Sequence, residues 1–168
     1  MSLASVPTLF TAVLSIALGL FVLRRHKSSL HWTFALCCFL TGYWQICWSL
    51  LFNVSDEKTA TLLARLGYSG ITFIPVVFFH FIVEFTQNAA MRNFLRLFYP
   101  LAAVFLVLGW AGQLYIAGVY QYSWGFYPRA GELHWTFLVL LAIMLVLGSC
   151  GLFAYRRAVS EQRLKVNQ

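Results

Sequence analysis

Five long apolar runs, each bounded by charged or turn-forming residues, constrain this chain more than any other feature. A bilayer core of about 30 Å takes about 20 helical residues to cross. The windows 5–23, 30–52, 60–85, 97–119 and 134–155 all meet that length. Residues 101–108 are apolar at every position, whereas barrel strands alternate apolar and polar side chains, so the spans are expected to be helices. The chain is 61% hydrophobic and 10% charged, against roughly 25% charged residues in soluble domains. The reading is an all-α polytopic membrane protein, a five-helix transmembrane bundle over residues 1–155 followed by a basic tail, 156–168.

The basic residues set the expected orientation. Arg24, Arg25, Lys27, Arg92, Arg96, Arg156, Arg157, Arg163 and Lys165 fall on one side of such a bundle, and Arg65, Lys58 and Arg129 on the other. With Glu84 and Glu161 on the first side and Asp56, Glu57 and Glu132 on the second, the whole net charge of +7 lies on the first. Cytoplasmic loops carry the excess of Lys and Arg. The N-terminus is therefore expected outside and the C-terminus in the cytoplasm, with the basic side drawn to anionic inner-leaflet lipids. Nucleic acid is not an expected partner, because its readers need one continuous basic face and here long apolar runs separate the clusters. The first span precedes Arg24-Arg25-His26-Lys27, the reverse of a cleavable signal, so it is expected to stay attached.

The residues that could carry chemistry concentrate on the third span. At 100° per residue, Arg65, Ser69, Thr72, His80 and Glu84 fall within an arc of about 120°. Such a stripe points into a bundle and could line a ligand site or hydration path; alternatively Arg65 snorkels outward and Glu84 pairs with Arg92 or Arg96. Pro75 removes a backbone donor and is expected to kink the helix. On the second span Trp44, Gln45 and Trp48 share one side, and Gln113 and Tyr115 at matching depth on the fourth would complete an outer pocket. The candidate ligand-binding residues are thus Trp44, Gln45, Arg65, Ser69 and His80, for a small or lipophilic ligand. The connection 120–133, with Tyr120, Tyr122, Trp124, Phe126 and Tyr127, reads as an interfacial aromatic belt or as a lid over the bundle.

Other signals are weaker. Gly67-Tyr68-Ser69-Gly70 has the GxSG form of rhomboid-type intramembrane serine proteases, with His134 the only base on the same side, but the chain is one helix short of that core. His26, His31, His80 and His134 do not form a haem pair, and Cys37-Cys38 point to different faces, so neither metal nor cofactor is expected. Asn53-Val54-Ser55 matches a glycosylation acceptor but abuts a helix end. His-Trp-Thr-Phe opens both the second and the fifth span, at His31 and His134, too short a match for an inverted repeat.

Taken in order, the Trp-bearing patch Tyr43, Trp44, Gln45 and Trp48, the run Arg65-Leu66-Gly67-Tyr68-Ser69-Gly70-Ile71, Pro75, the Phe-rich close Phe78 to Thr86, Pro100 at the inner end of the fourth span, and Trp124-Gly125-Phe126-Tyr127-Pro128-Arg129-Ala130-Gly131 resemble the N-terminal seven-transmembrane region of sensor histidine kinases. The resemblance implies a membrane-embedded sensory input of a two-component system in the bacterial inner membrane. It also implies helix movements that bias a cytoplasmic output module, a homodimer, and two further helices and a kinase module beyond the fifth span. No catalytic residue is expected within the chain itself. A small transporter or channel component, using the third-span stripe as a pathway, is the competing class.

Overall fold

The computed structural model describes residues 2–25 and 27–166, the last six of these by backbone alone. His26 lies outside the described residues, as do residues 167–168 and the side chains of Glu161, Arg163 and Lys165. Five helices, α1 (Ser5–Arg25), α2 (Ser29–Leu51), α3 (Glu57–Thr86), α4 (Ala89–Trp110) and α5 (His134–Val166), enclose a two-stranded hairpin, β1 (Ile116–Tyr122) and β2 (Gly125–Ala130), between α4 and α5. All five helices are long and apolar enough to cross a membrane, and the fold is all-α apart from that hairpin.

Each α3 boundary has a local cause. Asp56 caps the start, its carboxylate accepting from the Thr59 amide at 2.8 Å, which satisfies one of the orphan donors of a first helical turn. At the other end Gln87 adopts a left-handed backbone, φ 53°. The Asn88 side chain then caps α4 by accepting from the Met91 amide at 3.2 Å.

That cap corrects the fourth span. Expected at 97–119, it runs instead from Ala89 to Trp110. The expected window began at Leu97, past Arg92 and Arg96, but long basic side chains in the first two turns snorkel toward the polar boundary and the helix extends through them. Pro100 accordingly stands inside α4 rather than at its end. At the far end, Gly112 at φ 153° breaks the helix, and Gln113 and Tyr115 belong to the connection into β1 rather than to a helix.

The loop 120–133 contains most of the antiparallel hairpin, with Tyr120 opposite Tyr127 and Tyr122 opposite Gly125. β-branched and aromatic residues at period 2 fit a pleated surface, and Gly125, at φ 138° just after the turn, sits where a Cβ would crowd the backbone of Phe52. α5 continues through the basic segment to Val166.

α3 is the axis of the bundle. It packs against α2, α4, α5 and both strands, whereas α1 packs chiefly on α2. Ser2 meets Asn53 and the Trp124 carbonyl, so the N-terminal segment, the α2–α3 connection and the hairpin share one end. The ring contact between Phe85 and Tyr155 brings the last turns of α3 and the later part of α5 together at the opposite, basic end. Close approach of α2 to α3 depends on Gly67, since a Cβ there would occupy the position of the Trp48 ring. Small residues at such crossings let helix backbones approach in lipid, where burial of apolar surface gives little drive.

Two outcomes follow from these contacts. Gly67→Ala forces Trp48 aside and is expected to lower stability by ~1–3 kcal/mol, measured by unfolding in mixed micelles; pairing it with Trp48→Leu should recover much of the loss. Hydrogen bonds to the Thr59 amide hold the Asp56 carboxyl below its usual range. A depressed folded pKa gives stability that is complete above the unfolded value, near 3.9, and lost as pH falls through the folded value. Exchange protection at the Thr59 amide should therefore decline in that acid window, and the decline should vanish in Asp56→Asn.

Candidate functional site

The polar stripe of α3 divides into two clusters. At the hairpin end, Arg65 donates from Nη2 to the Gly112 carbonyl at 2.9 Å and from Nη1 to that of Trp110 at 3.5 Å. The Ser69 hydroxyl donates to the Arg65 carbonyl at 2.9 Å and accepts the indole N–H of Trp110 at 3.1 Å. These four bonds close a clasp between α3 and the end of α4. Its electrostatic sense is favourable, because the last carbonyls of a helix carry partial negative charge and lack intrahelical donors.

At the basic end, His80 Nδ1 is hydrogen-bonded to Tyr99 Oη at 2.9 Å, and its Nε2 lies 3.8 Å from Glu84 Oε1. The same carboxylate oxygen is 3.3 Å from Arg92 Nη2. Glu84 pairs with Arg92, as the plainer sequence reading has it, and His80 joins the network through Tyr99. Among the described residues, Val76, Phe79, Phe98 and Ala102 form buried core between the two clusters. The stripe is thus two helix-to-helix fasteners separated by an apolar layer, rather than a continuous polar path.

The spacing of the fasteners matches a bilayer. Nineteen residues separate Arg65 from Glu84, about 29 Å at 1.5 Å per residue, close to the hydrocarbon thickness. The first two turns of α3 rise about 12 Å beyond Arg65 by the same measure, past the end of α4, and the hairpin leans against them. Phe126 sits with Leu51 and Ala60 in that upper core.

Trp44 and Gln45 are half-buried on α2. Trp44 stacks edge-on against Trp48, Trp48 meets Tyr68, and Tyr68 meets Tyr115, with ring centroids 5.8, 5.8 and 5.5 Å apart. The structure therefore joins Trp44 to Tyr115 through a chain of rings, and the buried indole N–H of Trp44 has no hydrogen-bond partner among the described residues. It does not bring Trp44, Arg65 and His80 into one pocket. Tyr115 is fully buried, its hydroxyl 3.4 Å from Thr72 Oγ1. Burial pushes its phenol well above the usual range, with the Thr72 hydrogen bond a smaller opposing influence.

His134 stacks on Tyr115 at 5.5 Å and meets Tyr68 at 5.6 Å. It is not a hydrogen-bond partner of Ser69, whose hydroxyl is engaged by Trp110 and Arg65. The arrangement lacks the nucleophile–base contact that serine catalysis needs.

The family model describing the N-terminal 7TM region of histidine kinase matches residues 7–168. The chain belongs to this family. No curated protein and no solved structure matches it. As a histidine kinase 7TM region it is a multi-pass membrane protein whose family role is non-catalytic sensory input. Sequence reasoning missed Trp110, Tyr99 and Tyr68 in this histidine kinase 7TM region. Trp110 and Tyr99 lie on a different helix from their α3 partners, whereas the i, i+4 links of Arg65 to Ser69 and of His80 to Glu84 were open to pattern.

The clasp should behave as a unit. Trp110→Phe removes one donor and should cost ~0.5–1.5 kcal/mol, with Arg65→Gln costing more because it strips a charged bond from carbonyls. The double variant should cost clearly less than the sum, as measured by unfolding in mixed micelles. Strict additivity would show that the two side chains act separately.

Proposed function

We propose that this chain is the sensory input of a histidine-kinase-type signalling protein of the bacterial inner membrane, N-terminus outside and basic end in the cytoplasm. A small or lipophilic signal is received in the hairpin-end half, and the α3–α4 pair relays it to a cytoplasmic output module. Family membership supports the sensory role. The observation that carries the relay is the pair of α3–α4 fasteners, Arg65–Ser69–Trp110 and His80–Tyr99 with Glu84–Arg92, at the two ends of one apolar interface. Packed interfaces of this kind move between discrete arrangements rather than deforming continuously. Pro75 in α3 and Pro100 in α4 lie between the fasteners, where each withdraws one backbone donor from its helix.

Within this reading Arg65 and Ser69 are the signal-responsive residues at the receiving end, Trp44 and Gln45 the aromatic wall that passes contact on to Tyr68, and His80 the receiving group at the basic end. The excess of Lys and Arg at the basic end supports the orientation and attraction to anionic inner-leaflet lipids. The family resemblance supports a homodimer. The apolar layer between the fasteners favours sensing over transport, because a pathway would need polar groups through that depth.

The test is a pair of spin labels at Thr86 and Ser160, at the basic end of α3 and on α5, in the cysteine-substituted chain in nanodiscs. Arg65→Gln is expected to shift or broaden the inter-label distance distribution, and Glu132→Gln, an exposed position outside the clasp, to leave it unchanged. Identical distributions in wild type and Arg65→Gln would overturn the relay.

A further inference from the structure

The protruding turns of α3 and the end of α4 leave a groove of about 480 Å³ between them, lined by Glu57, Lys58, Thr61, Leu62, Arg65 and Trp110. We propose that this groove binds the headgroup of an aminophospholipid, a phosphodiester ending in a primary ammonium, from the leaflet at the hairpin end. The volume falls in the range of small-molecule sites.

Depth is the first reason. Arg65 stands at the hydrocarbon boundary defined by its spacing from Glu84, and Lys58 and Glu57 lie about 10 and 12 Å farther out along the helix. The groove therefore spans the headgroup layer and opens at its inner margin to acyl chains. Leu62 and Trp110, 48% and 43% exposed, offer an apolar flank there, and an indole is suited to such a boundary.

Charge is the second reason. Lys58, Thr61, Leu62 and Arg65 recur at the helical spacing that places them on one stripe. Among the described residues neither Glu57, Lys58 nor Arg65 forms an ion pair. Arg65 gives one N–H from each Nη to a carbonyl of the α4 end, which leaves a second donor on each for a phosphate oxygen. An Arg fork with an adjacent Lys suits a phosphodiester. Glu57 then supplies the one carboxylate in the groove, and a primary ammonium answers it with both charge and N–H donors. A glycerol headgroup would leave that carboxylate without a counter-charge, and a choline headgroup carries no N–H to donate. The set of two cations and one carboxylate thus selects the zwitterion with a free amine.

The inference deepens the sensory reading, since it gives Arg65 a ligand beside the clasp, and it rests on that reading only for its consequence. Lipid occupancy itself is measured independently of any relay. Native mass spectrometry of the full chain, released from micelles doped with equal amounts of phosphatidylethanolamine, phosphatidylglycerol and phosphatidylcholine, is the experiment. One phosphatidylethanolamine is expected to be retained in preference to the other two. Glu57→Gln should abolish the preference over phosphatidylglycerol, and Lys58→Ala should weaken retention about tenfold, the size of one lost charge-assisted contact. Both positions are exposed, and circular dichroism checks that the variants fold. Equal retention of the three lipids, or unchanged preference in both variants, overturns the site. Soluble glycerophosphoethanolamine that displaces the lipid at equal concentration would overturn the lipid as the occupant and assign the groove to a water-borne ligand. A retained preference alongside unmoved spin-label distances would keep the site and remove the relay.

Discussion

A guanidinium at the edge of hydrocarbon is only partly hydrated, and a helix that ends there has carbonyls that lack intrahelical donors. In this bundle each supplies what the other lacks: Arg65 of α3 donates to the carbonyls of Trp110 and Gly112 where α4 stops. The remaining features of the hairpin end follow from that one exchange. It ties α4 to α3 about two turns short of the start of α3, leaves the first turns of α3 standing free, and directs the chain through Gly112 into the hairpin that covers their other side.

The same requirement acts at the basic end with different chemistry. There the largely buried Glu84 has a half-exposed Arg92 as its counter-charge, and His80 reaches across to the Tyr99 hydroxyl. Between the two ends the contact is carried by Val76, Phe79, Phe98 and Ala102, whose contribution is shape. The α3–α4 interface is therefore directional at its ends and non-directional in its middle.

The other α3 contacts rest on close packing. Trp48 lies against Gly67, and Tyr68 passes that contact on to Tyr115 and His134. α2, the hairpin connection and the start of α5 thus meet at one ring cluster beside the clasp. A disturbance of the clasp has immediate neighbours on three elements, which is why the receiving role is assigned to this end.

Five spans, their helical nature and the clustering of basic residues at one end were legible in the chain alone, because length and hydropathy act over twenty residues at a time and tolerate local ambiguity. The arc from Arg65 to Glu84 was legible for the same reason, as it needs only the 3.6 period. The boundary of α4 was not: arginines in the first two turns look like a loop until Asn88 is seen capping the helix ahead of them, and Tyr115 looks helical until Gly112 is seen turning the chain away. Whether the arc formed one polar path or two separate fasteners depended on which residues of α4 stood opposite it. Tyr99 and Trp110 are set there by the offset between two helices, a quantity carried by packing across the interface and by no local pattern in either segment.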